Sequence, residues 1–336
     1  HGDLCMSLEK IGATSCKNVR QIYKQLGVEL QEYSAKPLIG LDPKAPAKQS
    51  ATTTIRSFLS VARRNEEGVV ADHDTEFLHD YRVSLRKVRS VLSLFKGVYS
   101  DKETARLKEE FSGLMQQTNM LRDLDVYLLN RSQYFKLVPE DTHEGLVMLF
   151  DYISGLRTKE QKKVRKILRA GRYKKQMRQL EQLFADAAKL ASGPKGGVDS
   201  LAYACRLVIK RYSKVCKIAR TIDKNTDDAV VHELRINCKK LRYLMEFFAP
   251  LFPADEMKAL IKSLKVLQDN LGSFNDYSIQ QLFLRQLLAE KMVTFGKDKL
   301  QVAESIGALT AMLYRLQVKE RGMVMKNFAR FVKCFF

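Results

Sequence analysis

Tryptophan is absent from this 336-residue chain, and proline occurs only seven times. No apolar run approaches the roughly 20 residues that a membrane-spanning helix needs, and no lipidation motif replaces one. The six cysteines, Cys5, Cys16, Cys205, Cys216, Cys238 and Cys334, form no CxxC pair and no dense framework. That pattern suits reduced thiols in a cytoplasmic protein. Alternating β-branched runs are nearly missing, so strands are not expected. Walker loops, nucleophile elbows and paired-carboxylate motifs are missing too, which argues against an enzyme. Hydrolysis of phosphate chains ordinarily needs a divalent metal on several carboxylates. The histidines, His1, His73, His79, His143 and His232, include no HxxxH pair and no His/Cys cluster, so neither a metal nor another cofactor is expected.

Acid is also scarce: 38 Asp and Glu stand against 58 Lys and Arg, a net charge of +20 and a pI near 9.6. Such an imbalance concerns partners rather than fold, and it points to polyanions. The prolines act as punctuation: Pro37, Pro43 and Pro46, then Pro139, Pro194, and the pair Pro250 and Pro253. Between them lie Leu-rich and Lys-rich stretches of helical period, so the chain reads as all-α. Residues 1–50 read as an extension with a helix from Ser15 to Gln25 and a linker. A first helical bundle spans 51–192, and a second spans 193–336 after the break Ser192-Gly193-Pro194-Lys195-Gly196-Gly197.

The two bundles carry one signature each. His79-Asp80-Tyr81-Arg82-Val83-Ser84-Leu85-Arg86-Lys87-Val88-Arg89 returns without a gap as His232-Glu233-Leu234-Arg235-Ile236-Asn237-Cys238-Lys239-Lys240-Leu241-Arg242. At helical period His79, Arg82, Arg86 and Arg89 share a stripe, as do His232, Arg235, Lys239 and Arg242. Tyr81, Leu85, Val88, Leu92 and Phe95, with Leu234, Cys238, Leu241, Met245 and Phe248, form separate apolar stripes for a core. Asp123 follows His79 by 44 residues, and Asp276 follows His232 by 44. Upstream, Arg56 and Arg63 align with Lys210 and Lys217 if the loops differ by one residue.

Further cations crowd the segment from Arg157 to Arg178, where Glu160 is the only acid, and the run from Arg206 to Arg220, which has none. A solvated basic face accounts for either run taken alone. Solvation does not require one spacing twice, so the duplicated stripes read as a binding site. No helix-turn-helix, zinc-finger, RRM or KH signature stands here, and aromatic platforms for base stacking are not evident. A ligand made only of phosphates needs only Arg forks, Lys charges and His donors. Inorganic polyphosphate is such a ligand; nucleic acid bound by charge alone is the alternative, and a metal-dependent phosphate-chain enzyme a more remote one.

The pattern His-x-x-Arg-x-x-x-Arg/Lys-Lys-x-Arg, followed by Leu121-Arg122-Asp123-Leu124-Asp125 and then repeated, resembles the CHAD family, the conserved histidine α-helical domain. The resemblance spans about residues 50–320. It implies a duplicated pair of helical bundles with approximate two-fold symmetry around a basic central cavity, binding polyphosphate and often placing proteins on polyphosphate granules. By position it nominates His79, Arg82, Arg86, Lys87, Arg89, His232, Arg235, Lys239, Lys240 and Arg242. The looser alignment adds Arg56, Arg63, Lys210 and Lys217, and the second motif adds Arg122. Asp123 and Asp276 read as acids that orient the arginines. The second copy has Asn275 where the first has Arg122, so a contact by Arg122 lacks a counterpart. The histidines read either as phosphate donors that an adjacent polyanion would push toward the charged form, or as residues satisfied in a helix contact.

Overall fold

The computed structural model describes residues 33–222 and 226–333. Two units are distinguished, His1–Lys36 and Pro37–Phe336; the helix expected from Ser15 to Gln25 lies outside the described residues. In the larger unit the helices are α1 (Ala47–Ala71), α2 (Thr75–Leu94), α3 (Asp101–Gln116), α4 (Asn119–Leu129), α5 (Arg131–Phe135), α6 (His143–Arg169) and α7 (Gly171–Phe184). They are followed by α8 (Ser200–Ala219), α9 (Asp228–Phe248), α10 (Ala254–Glu290) and α11 (Lys299–Lys333). Short 3-10 turns join several of them, and no β-strand occurs among the described residues. None of these helices is long and apolar enough to cross a membrane.

Local chemistry places the boundaries. Asp74 caps α2 by accepting from the Glu76 amide at 2.9 Å, and Glu76 favours the positive end of the helix dipole. Gly97 then turns the chain with φ +79, a conformation that costs other residues steric strain. In the second half Pro250 and Pro253 stop α9 and start α10, since neither can donate to a continuing helix.

The helices of each half pair in the same order: α1 with α2, α2 with α3, α4 with α6, and correspondingly α8 with α9, α9 with α10, α10 with α11. The core stripes read from the signatures are all buried. Among the described residues the apolar core falls into three clusters. One joins α1, α2, α3 and α7 to the end of α9 through Tyr243, Phe247 and Phe248. A second lies within α8, α9, α10 and the end of α11. The third joins α4, α5 and the start of α6 to the end of α10 and the start of α11. The halves therefore share apolar core in two separate places.

The Gly-rich break is stitched into the body. Gly193 N donates to Val98 O at 2.9 Å, Lys195 N to Gly97 O at 2.7 Å, and Ala47 N to Val198 O at 2.8 Å. A Cβ on Gly193 would lie 2.4 Å from Tyr99 O, so only glycine allows this approach. The Pro-rich stretch is tied likewise, with Ser200 N donating to Ala45 O at 2.9 Å.

One cation of the basic segment is a structural clamp. Arg157 on α6 grips Asp72 with two bonds of 2.5 and 2.6 Å and donates from Nε to Asp125 on α4 at 2.9 Å. Asp125 is 1% exposed. Arg157→Leu leaves that carboxylate buried without its partner. The expected loss is about 3–5 kcal/mol of unfolding free energy in urea titrations, and a loss below about 1 kcal/mol would show that water reaches Asp125.

Candidate functional site

The two signature helices, α2 and α9, pack against one another. Their C-terminal ends meet on aromatic rings: Phe95 stacks on Phe248 with centroids 4.7 Å apart, and Phe247 packs edge-on to Phe58 and Phe95 at 6.0 and 6.1 Å. Phe95 and Phe248 are equivalent positions of the repeat. Beside this seam Lys87 reaches across to Glu246 at 2.5 Å, its ammonium lying 5.1, 5.5 and 5.7 Å from the rings of Phe58, Tyr243 and Phe247. Glu246 also meets Arg242 at 3.4 Å. Lys87 is thus a tie between the halves, and its counterpart Lys240 lies instead among Arg211, Lys214 and Lys96, where desolvation and those charges lower its pKa.

Toward the N-terminal side of this seam the cations converge. Lys239 is partly buried, and desolvation together with Arg86, Arg235 and Arg242 brings its ammonium down to about 8. Arg235 is likewise lowered by desolvation and by Arg86, against the favourable pull of Asp276 at 3.9 Å. Arg86 comes from the first copy and Lys239 is its counterpart in the second, so equivalent residues meet here. Arg89 holds Met115 Sδ at 3.6 Å.

Equivalent residues nevertheless have different partners. Arg82 is only 7% exposed and donates to Met115 O at 3.0 Å and Thr118 Oγ1 at 2.7 Å. It fills the break between α3 and α4, where the Met115 carbonyl accepts from the Thr118 amide at 3.2 Å and from the Thr118 hydroxyl and Arg82 rather than from an amide four residues on. Desolvation and Arg86 lower its pKa to about 10, which leaves it charged at neutral pH. In the second copy α10 runs unbroken through the same positions, so Arg235 has no such carbonyl to fill and faces Asp276.

The histidines differ as well. Arg122 Nη2 lies 2.9 Å from His79 Nδ1, and since a guanidinium only donates, Nδ1 must hold a lone pair and Nε2 the proton. Desolvation and Arg122 lower the His79 pKa, which keeps the ring neutral. Protonating Nδ1 would displace Arg122, so in this copy mild acid works against the existing geometry. His232 Nδ1 lies 2.9 Å from Asn275 Oδ1, while Asn275 Nδ2 reaches Asp276 at 3.4 Å. There Nδ1 donates to the amide oxygen.

Asp123 faces Arg82, Arg122 and Arg86, which offset the partial desolvation that raises its pKa. Other nominated residues lie elsewhere. Arg63 pairs with Glu66 and with Glu181 on α7, while Arg56, Lys210 and Lys217 are exposed on α1 and α8. Glu76, His79 and Asp80 on α2 can each bring a ligand atom within 4.8 Å of the others. Two of these are acids on one helical turn, and His79 Nδ1 is already engaged. Glu246, Tyr243 and Thr118 were not singled out by motif reading.

The family model for the CHAD domain matches residues 53–285 of this chain. The chain belongs to the CHAD domain family. Its fold matches the crystal structure of the CHAD domain from the plant Ricinus communis, with a TM-score of 0.72 and 23% identity over 89% of this chain and 97% of that one. It also matches PptA from Streptomyces chartreusis, with a TM-score of 0.62 and 13% identity over 87% of this chain and 99% of that one. Two uncharacterized proteins from Mycobacterium tuberculosis strains, CDC 1551 / Oshkosh and ATCC 25618 / H37Rv, are each 27% identical over 233 residues. That stretch is 65% of this CHAD chain, which spans only 43% of those relatives.

Opposite tautomers in the two CHAD half-sites are directly measurable. Long-range proton–nitrogen NMR on the neutral rings should show His79 protonated at Nε2 and His232 at Nδ1, with Arg122→Asn moving the His79 proton to Nδ1. The same tautomer at both positions would contradict the hydrogen bonding described above.

Proposed function

We propose that this CHAD chain binds inorganic polyphosphate between α2 and α9, in a basic cavity with approximate two-fold symmetry. The observation that carries the proposal is the meeting of Arg86 from one copy with Arg235, Lys239 and Arg242 from the other. Like charges in a partly desolvated place repel, and an anionic ligand removes both the repulsion and part of the desolvation cost. Contacts between equivalents, Phe95 on Phe248 and Arg86 beside Lys239, are what a two-fold axis produces. A chain of identical phosphates suits such an axis because it offers the same group in both directions.

Guanidinium forks and ammonium groups favour phosphate oxygens over bases. Tyr243, the aromatic ring at the cleft, lies under Lys87, Lys239 and Arg242 at 5.5, 5.9 and 5.8 Å and is not a free stacking platform. That supports polyphosphate over single-stranded nucleic acid. The acids at the cleft, Asp123, Asp276 and Glu246, each lie beside arginine or lysine, as orienting groups do. We read the chain as a binding module and not an enzyme, so incubation with magnesium and polyphosphate should release no phosphate above the blank. Residues 51–192 and 193–336 would be the two repeats of one binding unit. Association with cytoplasmic polyphosphate granules follows if the ligand is granular polymer, and a fluorescent fusion imaged in cells with and without granules tests it.

Long polyphosphate, short polyphosphate and single-stranded DNA, matched in phosphate and compared at two salt levels, separate the readings. Arg235→Ala with Lys239→Ala should weaken long polyphosphate at least about tenfold, roughly the 1.4 kcal/mol of one charge-assisted contact. Arg82→Ala should lower stability as well, because Met115 and Thr118 lose their donor. Equal affinity for all three polymers, collapsing together with salt, would reduce the site to a generic basic surface.

Affinity should also depend on alkaline pH. From neutral pH to about 8 Lys239 is charged before the ligand arrives, so it adds no pH dependence there. Above about 8 the free protein has released that proton, binding must take it up again, and affinity falls. Lys239→Arg keeps its charge and should flatten the profile. A wild-type profile level to pH 9.5 would mean that Lys239 does not meet the anion.

A further inference from the structure

The signature helices hold only part of the positive charge. On α6 the residues Lys159, Lys162, Lys166 and Arg169 recur at i, i+3, i+7 and i+10, and all are exposed. On α7, Lys174 and Arg178 continue the basic surface one helical turn apart. Ala170, with φ −65 and ψ 139, makes a corner between the two helices.

The cations that the fold uses on these helices point the other way. Arg157 holds Asp72 and Asp125, and Arg165 donates to Val70 O at 2.8 Å at the end of α1. Glu160 pairs with Lys163 at 2.9 Å, and Glu181 with Arg63 at 3.4 Å. From Arg157 to Phe184 the acids are Glu160 and Glu181; both are engaged in these pairs, and neither is paired with Lys159, Lys162, Lys166 or Arg169. None of the cleft residues of α2, α4, α9 and α10 belongs to this face, and α6 and α7 both pack on α1.

The chemistry of the face narrows its partner. No large apolar side chain is exposed between residues 148 and 200. A helix lying on a lipid surface seats an apolar face among the acyl chains, and single-strand binders stack bases on aromatic rings. Neither device is present, and charge is the only means of attachment here. A nucleic-acid duplex presents its phosphates outward on a stiff rod and can be held by charge alone, without base contacts. Ten residues of helix span about 15 Å, a length over which duplex DNA carries about nine phosphate charges.

We propose that the outer α6–α7 face is a second polyanion-binding surface, which holds the phosphate backbone of duplex nucleic acid without sequence preference. It is separate from the α2–α9 cleft, so both sites can be filled in one molecule. The chain would then bridge its cleft ligand to a duplex.

The test uses the full chain with Lys162→Ala, Lys166→Ala and Arg169→Ala combined, substitutions that suit exposed helix positions, with circular dichroism to confirm folding. Binding of a mixed-sequence DNA duplex is followed across a salt series, and binding of short polyphosphate is measured in parallel. Duplex affinity should drop, and the slope of log affinity against log salt should become shallower by about 0.9 for each phosphate that the variant no longer neutralises. Short polyphosphate should bind the variant as it binds wild type, and wild-type protein saturated with it should still capture the duplex. An unchanged duplex slope in the folded variant would overturn the proposal. So would displacement of the duplex by one equivalent of short polyphosphate, or capture by phosphatidylserine vesicles with no binding to duplex. Loss of duplex binding in a protein that never binds polyphosphate would sustain this face while ending the cleft proposal, and Arg235→Ala with Lys239→Ala separates the two in the converse direction.

Discussion

Electrostatic repulsion is the constraint that the rest of this molecule accommodates. Arginines and lysines from two helices meet where water is partly excluded, and desolvation together with the neighbouring cations lowers the pKa of Lys239 and of Arg235. Such a cluster cannot hold itself together. Neutral and apolar contacts on both sides must oppose the repulsion. The aromatic seam of Phe58, Phe95, Phe247 and Phe248 supplies one junction, and the shared core of α4, α5, α6, α10 and α11 supplies the other. Aromatic pairs contribute about 0.5–1.5 kcal/mol each beyond area burial. Glu246 meets one cation from each copy, Lys87 and Arg242, directly at the seam.

The two signature helices carry one residue pattern, and packing gives the matching residues different work. Arg82 mends a helix break while Arg235 faces an exposed aspartate. Lys87 is caged by rings, whereas Lys240 lies among other cations. Arg122 and Asn275 hold their histidines with opposite hydrogen-bond polarity. The two signature helices are therefore alike in charge and different in hydrogen bonding.

Much of this was legible in the residue order. Period alone separated the core stripe, Tyr81, Leu85, Val88, Leu92 and Phe95, from the cationic one, because burial of an amphipathic helix follows its apolar face. The break before α10 was marked by proline. The break between α3 and α4 was not, since both copies align there without a gap; it depends on Arg82 arriving from another helix. Arg157 looked like one more member of a basic run, and its two aspartates, 85 and 32 residues away, turned it into a clamp. The Gly-rich segment before α8 reads as the break between the two bundles, and its amides are bonded to the turn at Gly97.

By itself the sequence determined the helical class, the repeat and its spacing, the identity of the buried stripes and the excess of positive charge, because each depends on local periodicity or simple composition. It also marked one asymmetry, Asn275 in place of Arg122. Only the tertiary structure decided which cations serve the fold and which remain for a ligand. That choice depends on distances between residues far apart in the chain: an arginine beside a buried carboxylate or an unfilled carbonyl is held by the protein, and the same arginine without one stays available to an anion.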